Sequence, residues 1–210
     1  MTTTESTAGK RSRANTRARL LEAAYRVFAE RGFTASTIED VCEAAGFTRG
    51  AFYSNFASMN ELFFALWRHR NDAFVARLAD IAAAARDEPR RADQLLEAMT
   101  TTVDDESRTW FLVNTDFLLH ALRHPELAAE LAVHRRRLRQ RLGTLVADYL
   151  DRRGRHLAPG IGADLAARLV LAVSEGGLHQ VLVEPDDADA RRLRGLLVDG
   201  LLERFTEPGP

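Results

Sequence analysis

The sequence predicts an all-α fold of about nine helices, with a small three-helix domain followed by a larger helical one. Three observations carry this. Apolar residues recur at helical spacing from Leu20 to Phe205. The boundaries between the periodic stretches carry helix caps, glycines and prolines rather than strand signals. A chain of 210 residues is long enough to bury a proper core in one or two small domains.

The elements follow in order. A first helix is expected over about 12–31 and ends at Gly32. A second covers about 38–45, its apolar face formed by Ile38, Val41, Cys42 and Ala45. Ser36 and Glu39 are spaced as its capping box, with Thr37 as the next candidate for the cap. Gly46 suits the left-handed conformation of a tight turn. Thr48 then offers a hydroxyl to cap a short third helix over about 49–54. The fourth starts at the box Ser58/Glu61 and runs to about Arg86, where Asp87-Glu88-Pro89 breaks the pattern. A fifth covers about 91–103. The sixth, about 106–123, is apolar on several faces and is expected to be buried all round. Pro125 opens the seventh, which ends near Gly154. The glycine- and proline-bearing segment 154–162 is expected to be a loop, and the eighth and ninth helices span about 163–183 and 188–205. The expected division is a flexible basic arm over 1–11, a helix-turn-helix domain over 12–57, a second domain over 58–205 and a flexible tail over 206–210.

A net charge of −1 excludes a general basic coat for nucleic acid. The charge is local instead. Lys10, Arg11, Arg13, Arg17 and Arg19 stand near the N-terminus against Glu5 alone, an arm suited to DNA phosphates. The lone Cys42 excludes an internal disulfide and fits a reducing cytoplasm as a buried structural thiol. No apolar run is long enough to span a membrane. His120 and His124 stand at i and i+4, but no further ligand completes a metal site, so neither metal nor cofactor is expected. The basic run His134–Arg141 shares a helix with a clear apolar stripe and reads as its solvated face.

The stretch Thr37–Tyr53 carries the functional reading. Two short helices joined at a glycine turn leave Thr37, Thr48, Arg49, Gly50, Ala51, Tyr53, Ser54 and Asn55 to meet a DNA major groove and its phosphates, while Phe47, Phe52 and Phe56 face the core. The blocks Leu20–Phe33 and Gly50–Phe63, with Ala45-Gly46-Phe47 and Thr48 between them, resemble the TetR family of bacterial transcription regulators from about Arg17 to about Leu66. Two departures stand out: Asn55 where the family usually has His, and Met59 where it usually has Lys. The second removes one phosphate contact, and a weaker salt dependence of binding follows.

The resemblance implies a homodimer on a two-fold operator, released when a small effector binds the second domain. Effector bound beside the fourth and sixth helices is expected to favour a different spacing of the two recognition helices, with the fourth helix as coupler. Polar residues within the apolar second domain mark the candidate pocket: Trp67, Trp110, Phe111, Asn114, Phe117, His134, Glu175 and His179. The ligand is expected to be largely apolar with one or two hydrogen-bonding groups. The last two helices are the candidate dimer seam, through Val173, Gly176, Gly177, Gln180, Leu193, Leu197 and Leu201. The glycine pair fits close approach of a partner helix or a local bend within one subunit. The alternatives come from two other classes. An enzyme on this fold lacks an acid–base or nucleophile constellation, and an interaction module would keep the fold without DNA binding.

Overall fold

Gly32 and Gly46 set the geometry of the N-terminal helices. Both adopt left-handed backbone (φ 79° and 69°), a conformation that a β-carbon disfavours. The Gly46 N–H reaches back to the carbonyls of Cys42 and Glu43, so the chain turns at once into the next helix. In the computed structural model, residues 4–101 and 103–209 are described, with the side chains of 13–98 and 103–209. The described residues form nine α-helices: α1 (Thr4–Arg31), α2 (Ile38–Ala45), α3 (Arg49–Tyr53), α4 (Met59–Asp87), α5 (Pro89–Thr101), α6 (Asp105–Leu122), α7 (Pro125–Arg152), α8 (Ala163–Val183) and α9 (Ala188–Phe205). None of them is long and apolar enough to cross a membrane.

Several expectations change. Helix α1 already includes Thr4 rather than starting near Ser12, as no proline interrupts 4–11. The box capping α2 is Thr37 with Asp40, one residue later than Ser36 with Glu39. Ser36 instead donates its hydroxyl to the Gly32 carbonyl at 2.6 Å. The segments read as a loop and a flexible tail pair as a two-stranded antiparallel ribbon, β1 (Arg155–Leu157) with β2 (Thr206–Pro208), His156 opposite Glu207. Strands of three residues are too short to show a period. Arg155 fixes this pair by donating to the Thr206 hydroxyl at 2.7 Å and to the Leu202 carbonyl at 3.3 Å.

The contacts group into two compact units: residues 1–70 with 109–131, and residues 71–108 with 132–210. The core of the first is aromatic. Phe63 stacks on Phe117 with ring centroids 3.5 Å apart, and Phe33 meets the same Phe117 edge-on at 4.8 Å. Phe28, Phe52, Phe56 and Leu20 are buried in the same unit. Helix α6 is buried on one face only, through Val113, Phe117 and Ala121 at helical spacing. Leu112, Leu119 and Leu122 on its other side are exposed, so the expected all-round burial is not found in this chain.

In the second unit, Ile81, Ala84, Ala85 and Ala92 form a small-residue core with Leu78, Leu96 and Tyr149 against it. Helices α7 and α8 approach closely at Gly143, where an added β-carbon would lie 2.8 Å from the Ala163 carbonyl oxygen. Ion pairs Arg139–Asp164 (2.8 Å) and Arg135–Glu175 (2.9 Å) join the same two helices from one and two turns earlier on α7. Arg141 pairs with Asp72 of α4. The basic run of α7 is therefore partly a set of inter-helix clamps, while Arg136 and Arg137 are its solvated part.

Candidate nucleic-acid interface

Helix α3 is five residues long and is held at both ends. Thr48 caps it by accepting from the Ala51 N–H at 3.2 Å, and Phe52 beneath it is fully buried. This fixes an outward face. Thr48, Arg49, Gly50, Tyr53 and Ser54 are exposed, Ala51 is half-buried, and Thr37 is exposed at the start of α2. Arg49 and Tyr53 stand one turn apart. The Arg49 guanidinium pairs with Glu39 of α2 and donates to the Tyr53 hydroxyl at 3.4 Å. The Tyr53 bond, and then the Glu39 carboxylate, hold its pKa above the ordinary value. The surface thus presents a fixed cation beside a hydroxyl that still has a proton to donate. A guanidinium so placed can pair with both acceptors of a guanine, and a tyrosine hydroxyl can donate to a phosphate.

Asn55 is a correction. Its amide donates to the Ala51 carbonyl at 2.8 Å, and its Oδ1 is buried without a hydrogen-bond partner among the described residues. The side chain closes the end of α3 rather than facing outward. Ser54 keeps an exposed hydroxyl, which donates to the Gly50 carbonyl at 2.8 Å.

The arginines of α1 also behave differently from a loose phosphate-binding arm. Arg13 donates to the Ser54 carbonyl at 2.8 Å and Arg17 to that of Asn55 at 3.0 Å. Arg19 donates to the Ala45 carbonyl at 2.9 Å and Arg26 to that of Ala44 at 3.3 Å. These carbonyls lie at the ends of α2 and α3, where helical partners run out. The row therefore ties α1 to both helices of the reading unit. Arg17 and Arg19 also lie over Phe56 (4.2 Å) and Phe47 (4.7 Å), which leaves Phe47 half-buried. The side chains of Lys10 and Arg11 lie outside the described residues. A row of arginines at i, i+4 and i+6 was visible in the sequence, but its carbonyl partners were not. Cys42 is buried, and burial pushes its thiol up.

The reading unit is joined to α6 through one short bond. Asp116 accepts from the Phe33 N–H at 2.6 Å, at the turn after Gly32. Asp116 is a carboxylate within a largely apolar stretch of α6, and its partner lies 83 positions away, beyond any local pattern.

The eight candidate pocket residues divide between the two units, and Phe117 belongs to the aromatic core of the first. Asn114 accepts from the Trp67 indole N–H at 3.1 Å, and Trp110 lies parallel to Phe63 with centroids 6.4 Å apart. Phe111 is half-buried on the same helix. In the second unit His134 is buried, Glu175 is the ion-pair partner of Arg135, and His179 is exposed. That unit contains a cavity of about 130 Å³ whose walls include Phe74, Leu78, Ile81, Leu145, Tyr149 and Arg194. None of the eight residues lines it. Helix periodicity locates a face but not the neighbour that fills it.

The candidate dimer residues divide as well. Gly176, Gln180 and Leu197 are exposed, and Leu193 and Leu201 are half-buried. Val173 and Gly177 are buried within the chain, so neither offers a surface to a partner. A β-carbon on Gly177 would overlap the Arg194 side chain of α9, so this glycine answers to packing inside the subunit.

The sequence matches the family model "Bacterial regulatory proteins, tetR family" over residues 20–66, and "BetI-type transcriptional repressor, C-terminal" over residues 88–206. The transcriptional repressor AcnR of Corynebacterium efficiens is 30% identical over 139 residues, 66% of this chain and 68% of that protein. The structure of SmeT, the repressor of the Stenotrophomonas maltophilia multidrug efflux pump SmeDEF, is similar with a TM-score of 0.62 and 25% identity, covering 91% of this chain and 90% of that one. A SmeT–triclosan complex gives a TM-score of 0.63 at 25% identity, covering 93% and 96%.

Proposed function

Because the chain belongs to the TetR family of bacterial transcription regulators, we propose that it is a cytoplasmic, homodimeric repressor that a small, largely apolar effector releases from a two-fold operator. The observation that carries this is the outward face of α3, with Arg49 and Tyr53 exposed on a helix whose buried side and both ends are fixed from within. Rigid placement of a few side chains is what major-groove readout requires. The reading unit is Arg13–Asn55, with Thr37, Thr48, Arg49, Gly50, Ala51, Tyr53 and Ser54 at the groove.

The fourth helix is the coupler in this reading. Helix α4 starts at Met59, just after the recognition helix, and its residues Phe74, Leu78 and Ile81 line the cavity of the second unit. A ligand with different affinity for two settings of α4 shifts the protein between them, and DNA affinity falls by linkage. That SmeT forms a complex with triclosan supports an effector of apolar character here.

A gel-shift with the DNA upstream of the protein's own gene tests the reading, with retarded dimer expected and no retardation against it. In the same assay Tyr53→Phe should weaken binding about fivefold, the equivalent of about 1 kcal/mol for one lost hydrogen bond, with the fold intact. Unchanged affinity would remove Tyr53 from the interface. Arg49→Ala should relax preference at one base of each half-site; a uniform loss over all sequences would leave Arg49 a phosphate contact only.

The dimer is assigned to α8 and α9 through their outward residues Gly176, Gln180 and Leu197. Leu197 is 40% exposed in the single chain and Leu196 58%. Leu197→Glu should give monomers that hold operator poorly, since a single short recognition helix reads only one half-site. Sedimentation of the wild type as a monomer at micromolar concentration would contradict this.

A further inference from the structure

The cavity of the second unit has apolar walls and one charged lining residue, Arg194. Arg194 sets a guanidinium, with its five N–H donors, among these apolar walls. Its placement is built in: Gly177 on α8 lacks the β-carbon that would overlap the Arg194 stem, and Gly177 is buried. Any larger residue at 177 would displace the arginine. Arg194 is half-buried, and burial lowers its pKa. Tyr149 and Ser174 are the hydroxyl groups of the same lining, and burial pushes the Tyr149 hydroxyl up, so it stays protonated and able to donate. The lining therefore offers a cation and hydroxyl donors, and no carboxylate is among its residues.

The size is also informative. About 130 Å³ is close to the roughly 150 Å³ of an apolar cavity that accepts benzene. The cavity adjoins a wider cleft of about 530 Å³, with which it shares Leu96, Tyr149, Val198 and Leu202. The charged residues of that cleft are Asp93, Glu97, Asp199, Arg153 and Arg192, with Asp93 and Arg153 paired at 3.1 Å.

We propose that this cavity binds a small apolar carboxylate, with one aromatic ring or a short alkyl chain against Phe74, Ile81 and Leu145 and the anionic head at Arg194. The assignment rests on reading the chain as an effector-released repressor, and it names the class of effector.

The test is calorimetric titration of the DNA-free dimer with phenylacetate, hexanoate and octanoate. Each is compared with the neutral amide and the cationic amine of the same skeleton. At least one carboxylate should bind, at least tenfold more tightly than its amide or amine. Arg194→Met keeps the stem beside Gly177 and should weaken that carboxylate at least tenfold without changing the amide; Arg194→Lys should restore part of the loss. No carboxylate binding, equal binding of amide or amine, or an unaffected Met variant would overturn the assignment. The charge series needs only wild-type protein, so a variant that fails to fold leaves the test standing. A gel-shift on the same preparation separates the two levels. Protein that holds operator but ignores the head-group charge overturns the ligand class alone. Protein that holds no DNA, or that binds the carboxylate without release, overturns the repressor reading.

Discussion

Phe117→Ala should destabilise the protein by about 3–5 kcal/mol, the range for truncating a buried aromatic side chain. Phe117 is fully buried, stacks on Phe63 at 3.5 Å and takes the edges of Phe33 at 4.8 Å and Phe64 at 5.3 Å. The neighbouring Asp116 accepts from the Phe33 N–H, so consecutive residues of α6 hold Phe33 by its ring and by its backbone. Truncation removes the first hold and leaves a cavity beside the second. Denaturant unfolding followed by circular dichroism measures the loss. A cost below about 1 kcal/mol would mean that the ring cluster is not the core of this unit. Operator binding should fall with stability, because the Gly32–Phe33 turn sets the entry of the chain into α2.

Gly143→Ala should be destabilising by about 1–3 kcal/mol, against the direction of helix propensity. An exposed glycine inside a helix gains about 1 kcal/mol on becoming alanine. At Gly143 the new methyl would meet the backbone of Ala163, with oxygen at 2.8 Å and carbonyl carbon at 3.1 Å. Backbone cannot rotate away as a side chain can, so α7 and α8 must separate. That movement would also stretch the Arg135–Glu175 and Arg139–Asp164 pairs. Thermal melting reads the effect. An unchanged or raised midpoint would show that the two helices are not in contact at this point.

What the sequence made legible was set by local chemistry. The bounds of α2, the turn at Gly46 and the cap at Thr48 were all readable, because each depends on residues within one turn of one another. Pro125 marked the start of α7 for the same reason, and Pro89 the break after α4, although α5 begins at Pro89 itself rather than near Arg91. The family followed from that local pattern. Residues whose role depends on a distant partner were misread or missed. Arg13 bonds the Ser54 carbonyl at the end of α3, 41 positions away, a partner that no local pattern indicates. Trp110, Asn114 and Phe117 were correctly placed on one helix, but nothing local tells an aromatic that stacks on Phe63 from one that lines a cavity. Gly177 reads as one of a glycine pair suited to close approach or a bend, but its neighbour, Arg194, lies seventeen positions on in α9. Gly143 gave no signal, since its clash exists only once α7 and α8 meet.

The central claim is that the exposed face of α3 reads DNA as one half of a two-fold pair. Selection of bound duplexes from a randomised pool by the purified full-length protein tests it most directly. The account predicts enrichment of an inverted repeat whose half-sites lie about one helical turn apart, about 34–36 Å or a multiple of it. Enrichment should be lost in a Tyr53→Phe, Arg49→Ala double variant that still folds. Recovery of no preferred sequence, or of an unrepeated site bound equally well by that double variant, would contradict it.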